Sequence, residues 1–165
     1  MKNPTKITAA PGIQEFFIER EFDAPRELVF RAFNESELVA QWLGPDSLTM
    51  EIEKFESKTH GSYRFIHTDR NGSGMSFAFN GVIHEVHAPE RIIRTFEFEG
   101  LPERGHVSLE FLTLKELPDN RTLLHIQSIF KSVADRDGLI NSGMEGGMNE
   151  GFAKLDRLFK KMTNA

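Results

Sequence analysis

The chain of 165 residues has the length of one ordinary domain, and 39% of its residues are hydrophobic, as in globular proteins. A net charge of −5 argues against a broad phosphate-binding surface, and the absence of cysteine excludes disulfides, thiolate catalysis and cysteine-based zinc sites. No run of about 18 apolar residues spans a bilayer, and residues 1–12 lack a signal-peptide core, so we expect a cytoplasmic protein that binds neither membrane nor nucleic acid.

The first third of the chain predicts a leader, a strand and two short helices. We expect residues 1–13 to form a flexible leader in front of a single domain over residues 14–163. From Gln14 to Phe22 apolar and charged residues alternate, which is typical of a half-buried strand. Asp23-Ala24-Pro25 then begins one helix, and a second helix ends at Gly44-Pro45.

About six further strands follow, separated by turn signals such as Asp69-Arg70-Asn71-Gly72 and Pro118-Asp119-Asn120. Consecutive strands with short turns predict an antiparallel meander rather than parallel strands joined by helices. In the strand near residue 110, the alternation is interpreted as turning Leu109 and Phe111 inward and Glu110 toward solvent.

The C-terminal segment predicts a long amphipathic helix. Ser142-Gly143-Met144-Glu145 has the form of a capping box with Ser142 as the cap. The apolar residues that share one face of this helix are Met144, Met148, Phe152, Leu155, Phe159 and Met162. The order of elements predicts an α+β fold in which a curved antiparallel sheet of about six to seven strands surrounds this helix, with two short helices after the first strand.

The titratable residues form no recognisable catalytic or metal-binding motif. His84-Glu85-Val86-His87 lacks the spacing of a zinc-protease helix, and histidines three apart on a strand point to opposite faces. Glu97 and Glu99 share a strand face with each other, but it is the solvent face. We therefore expect no metal, no cofactor and no catalytic residue.

Three glycines, Gly143, Gly147 and Gly151, recur every four residues in the predicted C-terminal helix. Because each interior glycine costs about 1 kcal/mol relative to alanine, they allow close packing or leave space above the sheet. Both alternatives stay open, as a filled core or as a ligand cavity with adaptable methionines in its wall. The candidate wall residues are Trp42, Tyr63, Phe77, Phe79, Phe96, Phe111, Met144, Met148 and Phe152.

Several short motifs occur together in an order that resembles one protein family. They are Trp42-Leu43-Gly44-Pro45, Gly61-Ser62-Tyr63-Arg64-Phe65, Pro89-Glu90-Arg91, Arg136-Asp137 followed by Gly143-Met144-Glu145, and Leu155-Asp156-Arg157-Leu158. Over roughly Glu15 to Met162 the chain resembles the homologues of the activator of the ninety-kilodalton heat-shock-protein ATPase. That family belongs to the START-like, helix-grip superfamily, also called SRPBCC. The resemblance implies a helix-grip fold, a cavity between sheet and helix, and a connection to the stress response.

Three functions follow as hypotheses. The first is a non-enzymatic domain that holds an apolar small molecule between the sheet and the C-terminal helix. The second, implied by the resemblance, is an interaction module that stimulates a heat-shock chaperone ATPase. The third is an enzyme of the polyketide-cyclase kind, with Tyr63 beside His84 or Glu110 as its acid and base. An exposed apolar patch serves a homodimer as well as a ligand, so the oligomeric state is left open.

Overall fold

The computed structural model describes residues 3–164 and contains eight strands and four helices. The strands are β1 Lys6–Thr8, β2 Glu15–Phe22, β3 Leu48–Phe55, β4 Ser62–Asp69, β5 Ser76–His87, β6 Arg91–Phe98, β7 Val107–Leu117 and β8 Arg121–Ile129. The helices are α1 Arg26–Asn34, α2 Ser36–Trp42, α3 Val133–Ile140 and α4 Met144–Thr163. This element order confirms the predicted α+β fold, with one strand more than the sequence pattern indicated.

All strands lie in one antiparallel sheet in the order β1-β2-β8-β7-β6-β5-β4-β3. The consecutive helices α1 and α2 contact β7 and β8 on one side and the edge strand β3 on the other. Because three strands separate β7 from β3 in the sheet, the sheet curves around these helices and α4. Bulges between Ile52 and Lys54 and between Ile83 and Glu85 contribute to the bend.

The concave face of the sheet carries the main hydrophobic core. Along β2 and β8 every second residue is buried, which follows from the period of two in a strand packed on one side. α4 packs over these strands: the ring of Phe22 meets Phe152 at 5.4 Å and Phe159 at 5.6 Å, both edge to face. A second, smaller core of Val39, Tyr63, Phe65 and Ile83 lies toward β3 and β4.

The predicted orientation of β7 is wrong. Leu112 is fully buried opposite Ile126, and the same register places Glu110 on the concave face. Leu109 and Phe111 therefore lie on the convex face of the sheet. Both alternating sets of β7 contain apolar residues, so its hydrophobic pattern did not distinguish the two faces.

Part of the segment that was predicted as a leader belongs to the sheet. Lys6–Thr8 forms β1 and pairs antiparallel with β2, and the carbonyls of Ala10 and Ile13 accept hydrogen bonds from Arg136. A three-residue strand is too short to produce a recognisable alternation, which is why the sequence pattern missed it. Met1 and Lys2 lie outside the described residues.

The predicted capping box at the start of α4 is not formed. The residue that precedes the helix is Gly143 in the left-handed region at φ 87°, and no side chain caps this end. Ser142 instead donates its hydroxyl to the Leu139 carbonyl at the end of α3. The helix therefore begins directly after a tight turn from α3, and glycine tolerates the backbone conformation of that turn.

A buried ion pair fastens α4 to the sheet. The side chain of Arg20 on β2 is 0% exposed, and its two terminal nitrogens donate to the carboxylate of Asp156 at 2.7 and 2.6 Å. The guanidinium also lies 4.7 Å from the centre of the Phe22 ring. Because Arg20 has no access to water, it depends on Asp156 to compensate its charge.

Replacing Asp156 with alanine leaves the buried Arg20 without its carboxylate. We expect a loss of about 2–3 kcal/mol in the free energy of unfolding, somewhat below the usual cost of breaking a fully buried pair because water reaches Asp156. Denaturant unfolding measures this loss. The matched control is Arg157→Ala on the exposed side of the same helix, expected within about 0.5 kcal/mol of the wild type. Equal losses in both variants would refute the anchoring role.

Candidate functional site

Four phenylalanines form a half-buried cluster on the concave face. Phe77 and Phe79 on β5 and Phe96 and Phe98 on β6 are brought together by the antiparallel register. The ring of Phe79 lies 5.6 Å from Phe77, 5.1 Å from Phe96 and 5.3 Å from Phe98. None of the four belongs to either hydrophobic core within residues 3–164. These four residues are called the aromatic cluster below.

His67 forms the base of the aromatic cluster on the β4 side. Its ring stacks on Phe77 at 5.7 Å with an interplanar angle of 6°, and meets Phe79 edge to face at 5.2 Å. The residue is only 4% exposed, and Gly44 lies so close that a Cβ there would stand 2.8 Å from the imidazole. Burial, and then the charge of Lys154, lower the pKa of His67 below its ordinary value.

Tyr63 connects the smaller core to β6. Its hydroxyl crosses β5 at Gly81 and donates to the Thr95 carbonyl at 2.6 Å. A Cβ at Gly81 would stand 2.5 Å from that hydroxyl and 2.0 Å from the Thr95 carbonyl oxygen, so this crossing requires glycine. Burial raises the pKa of Tyr63, which keeps the phenol protonated and makes it a poor catalytic base.

A charged pair lies beside the Tyr63 ring. Arg94 on β6 and Glu110 on β7 are opposite each other in the register, and Arg94 Nε donates to Glu110 Oε2 at 3.3 Å. The guanidinium carbon lies 5.5 Å from the centre of the Tyr63 ring. Burial acts to lower the pKa of Arg94, but the negative charge of Glu110 and its hydrogen bond to the guanidinium act in the other direction, and that pKa lies above its usual value.

The glycines at the start of α4 differ in how closely other residues approach them. A Cβ added at Gly143, Gly146 or Gly147 would meet nothing within 4 Å, whereas one at Gly151 would stand 3.2 Å from the Trp42 carbonyl oxygen. Close packing therefore explains Gly151 alone. Gly143 and Gly146 lie exposed at the start of the helix, and Gly147 is half-buried.

The predicted wall residues do not form one surface. Trp42 and Phe152 belong to the main core, and the indole of Trp42 donates to the Ala32 carbonyl. Tyr63 belongs to the smaller core, and Met144 and Met148 pack, half-buried, against the main one. Phe77, Phe79 and Phe96 are brought together in the aromatic cluster. Phe111 lies on the opposite face of the sheet.

Sequence reasoning missed three concave residues: His67, Arg94 and Phe98. Phe98 and Arg94 share the alternation of Ile92 and Phe96, so the signal was present in the pattern. A charged residue in such a pattern is normally assigned to the solvent side, which concealed Arg94. Glu110 was named as a possible acid or base beside Tyr63, but it was assigned to the solvent face because the orientation of β7 was inverted.

Two surface depressions are lined mainly by residues outside the aromatic cluster. One, of about 360 Å³, is lined by Arg64, Ile66, Ser76, Phe77, Ala78, Glu99 and Gly100. The other, of about 390 Å³, is lined by Arg26, Glu90, Arg91, Thr113, Leu114, Lys115 and Glu116. Within residues 3–164, no cluster of three potential metal ligands is present. No helix of this part of the chain is long and apolar enough to cross a membrane.

The lowered pKa of His67 predicts a specific pH dependence of stability. The unfolded chain, with the ordinary value of 6.5, binds the proton more readily than the folded chain. Stability supported by neutral His67 is therefore present above about pH 6.5 and lost as the pH falls through the folded-state pKa.

We expect His67→Gln to flatten the fall in unfolding free energy between about pH 7 and about pH 5, by at most about 1.4 kcal/mol per pH unit. Denaturant titrations at several pH values measure this slope. His84→Gln, at an exposed strand position, is the control and is expected to keep the wild-type slope. An unchanged slope in His67→Gln would contradict the burial argument.

A family model described as "Activator of Hsp90 ATPase homolog 1-like protein" matches residues 23–160. No curated protein matches the chain.

Solved structures with the same fold are numerous. A protein from Rhodobacter sphaeroides is 22% identical, with 94% of this chain and 99% of that chain covered and a TM-score of 0.83. A protein from Arthrobacter aurescens is 22% identical, with 94% and 91% covered and a TM-score of 0.81. A protein from Silicibacter pomeroyi that carries the same family name is 18% identical, with 90% and 99% covered and a TM-score of 0.70. At these identities the likeness shows the fold, which is the START-like helix-grip fold.

The family model covers most of the chain, and the sheet with its long C-terminal helix has the architecture of that fold. This chain therefore belongs to the family of proteins like homologue 1 of the activator of Hsp90 ATPase.

Proposed function

We propose that this protein binds an apolar small molecule on the concave face of its sheet, between the aromatic cluster and the first half of α4. The observation that carries the proposal is the half-burial of Phe77, Phe79, Phe96 and Phe98 outside both cores. Large apolar rings that remain partly accessible on a concave face gain free energy when a ligand covers them, at about 25 cal/mol per Å² before association costs.

The surroundings of the cluster support this proposal. Met144 and Met148 in the first turns of α4 are half-buried, and their flexible side chains adapt to a ligand. A few polar groups, foremost Arg94 and Glu110, adjoin the aromatic rings. An apolar surface with a small number of polar groups is the usual composition of a small-molecule site.

Phe96 and Phe111 provide a matched test of this function. Both are half-buried phenylalanines on neighbouring strands, but they lie on opposite faces of the sheet. We expect Phe96→Ala to raise the dissociation constant for a neutral fluorescent probe, N-phenyl-1-naphthylamine, about tenfold, because part of a buried aromatic contact is lost. Fluorescence titration measures the constant.

The control Phe111→Ala is expected to bind the probe within about twofold of the wild type. Circular dichroism establishes that both variants are folded. Equal weakening by the two substitutions, or a wild-type protein that binds none of a panel of apolar probes, would eliminate the concave site.

A second candidate function is the stimulation of a heat-shock chaperone ATPase, after the description of the family. A half-buried apolar strip on the convex face favours a protein partner there, since an accessible apolar surface of this kind is common at docking sites. Its residues are Phe17, Ile93, Leu109, Phe111 and Ile129.

For this function we expect the protein to raise the ATPase rate of the ninety-kilodalton chaperone of its host, and Phe111→Ala to lose most of that stimulation while Phe96→Ala retains it. A steady-state ATPase assay measures the rates. No stimulation by the wild-type protein would rule the second candidate out. The same two variants thus separate the two functions.

A further inference from the structure

The charged pair on the concave face is unusual in its position. Arg94 lies on the same face of β6 as Ile92 and Phe96, and Glu110 lies on the same face of β7 as Leu112. Their side chains are only 19% and 17% exposed. Two charges that are removed from most of the solvent need partners for their remaining hydrogen-bonding groups, or they carry a desolvation cost.

Much of the hydrogen-bonding capacity of this pair is unused. Arg94 donates through Nε to Glu110 Oε2, and neither of its terminal nitrogens has an acceptor within residues 3–164. Glu110 Oε1 likewise accepts no hydrogen bond in this part of the chain. None of these atoms is among the fully enclosed unsatisfied groups, so they border accessible space.

Arginine–glutamate pairs on the convex face make more hydrogen bonds than the concave pair. Arg64 donates to Glu99 through Nε and Nη2 and to Glu53 through Nη1. Arg91 makes two hydrogen bonds to the carboxylate of Glu85. The Arg94–Glu110 pair therefore leaves more of its hydrogen-bonding groups unused than either of these pairs. It lies next to the aromatic cluster, where water is restricted and an additional partner has the greatest effect.

The charges of the pair indicate which partner fits. Arg94 and Glu110 balance each other, so a ligand carboxylate would approach Arg94 at the cost of repulsion by Glu110 in a poorly solvated site. A pure hydrocarbon would cover the pair without replacing the hydrogen bonds to water. A hydroxyl group satisfies both atoms at once, because it accepts from arginine and donates to glutamate.

We propose that the concave site selects uncharged apolar molecules that carry a hydroxyl group, such as a phenol or an alcohol. The hydroxyl oxygen accepts a hydrogen bond from a terminal nitrogen of Arg94, and its proton is donated to Glu110. The rest of the molecule lies against the aromatic cluster. This inference rests on the proposed function and adds the chemical class of the ligand.

Three naphthalenes of similar size test it: 2-naphthol, 2-methylnaphthalene and 2-naphthoate. Displacement of N-phenyl-1-naphthylamine near neutral pH, where naphthol is uncharged and naphthoate is ionised, gives the three dissociation constants. We expect wild-type protein to bind 2-naphthol about tenfold more tightly than 2-methylnaphthalene, as for hydrogen bonds to charged groups, and to bind 2-naphthoate most weakly.

Two variants at the pair make the outcome specific. Glu110→Gln leaves the Arg94 charge without a counter-ion, so the preference is expected to shift from 2-naphthol toward 2-naphthoate by about tenfold or more. The double variant Arg94→Met with Glu110→Leu removes both charges together, and is expected to bind 2-naphthol and 2-methylnaphthalene equally. The matched control, Arg91→Met with Glu85→Leu, removes an ion pair of the same two residue types from the convex face and is expected to keep the wild-type preference.

The results separate this inference from the proposed function. If 2-naphthol and 2-methylnaphthalene bind the wild type equally, and the variants leave their ratio unchanged, hydroxyl selection is wrong although an apolar site exists. If none of the three displaces the probe from a folded wild-type protein, both the site and its selectivity are wrong.

Discussion

One helix cannot cover the concave side of this sheet. Eight strands at about 4.8 Å spacing extend over roughly 35 Å, whereas a helix with its side chains is only about 10–12 Å wide. α4 is held over β2 and β8 by the Arg20–Asp156 pair and by the contacts of Phe22. α1 and α2 fill further space toward β7 and β3. The part of the concave face over β5 and β6 is left with the aromatic cluster.

This incomplete cover connects the packing of the molecule to its candidate function. Aliphatic side chains in the same position would lack ring contacts, whereas Phe77 meets both Phe79 and Phe98 edge to face. His67 supports the cluster through its ring contacts with Phe77 and Phe79. The surface is thus held in shape without a ligand, which reduces the entropy lost when one binds.

The two faces of the sheet also use charge differently. On the convex face Arg64 and Arg91 are paired with carboxylates in water, where such pairs contribute little to stability but keep the surface polar. On the concave face Arg94 and Glu110 are largely shielded and incompletely hydrogen-bonded. An ion pair in that position adds little to the net stability, because the cost of desolvation offsets the attraction. It gives the apolar surface a polar group that orients a ligand.

Sequence patterns predicted the elements well where one face of a strand is polar. β2 and β8 alternate strictly, and α4 has a continuous apolar stripe, so these elements followed from periodicity, whereas the helix-grip fold followed from the family resemblance. The prediction for β7 failed because both of its faces are apolar in part. Its orientation follows from the contacts that Leu112 and Glu110 make with neighbouring strands, which no local pattern records.

The candidate site was predictable only in part. Phe77, Phe79 and Phe96 followed from alternation, but whether phenylalanines fill a core or remain accessible depends on how far the helices reach. Arg94 was not predicted, because a charged residue on an apolar face is recognised only when its partner on the neighbouring strand is known.

Native mass spectrometry of the protein, purified gently from its own host and compared before and after denaturing extraction, tests most directly whether the concave face holds an apolar molecule. The account predicts a released small molecule of defined mass in near-stoichiometric amount, strongly depleted in Phe96→Ala and retained in Phe111→Ala. A wild-type protein with the mass of the bare chain, or a bound molecule retained equally in both variants, would contradict it.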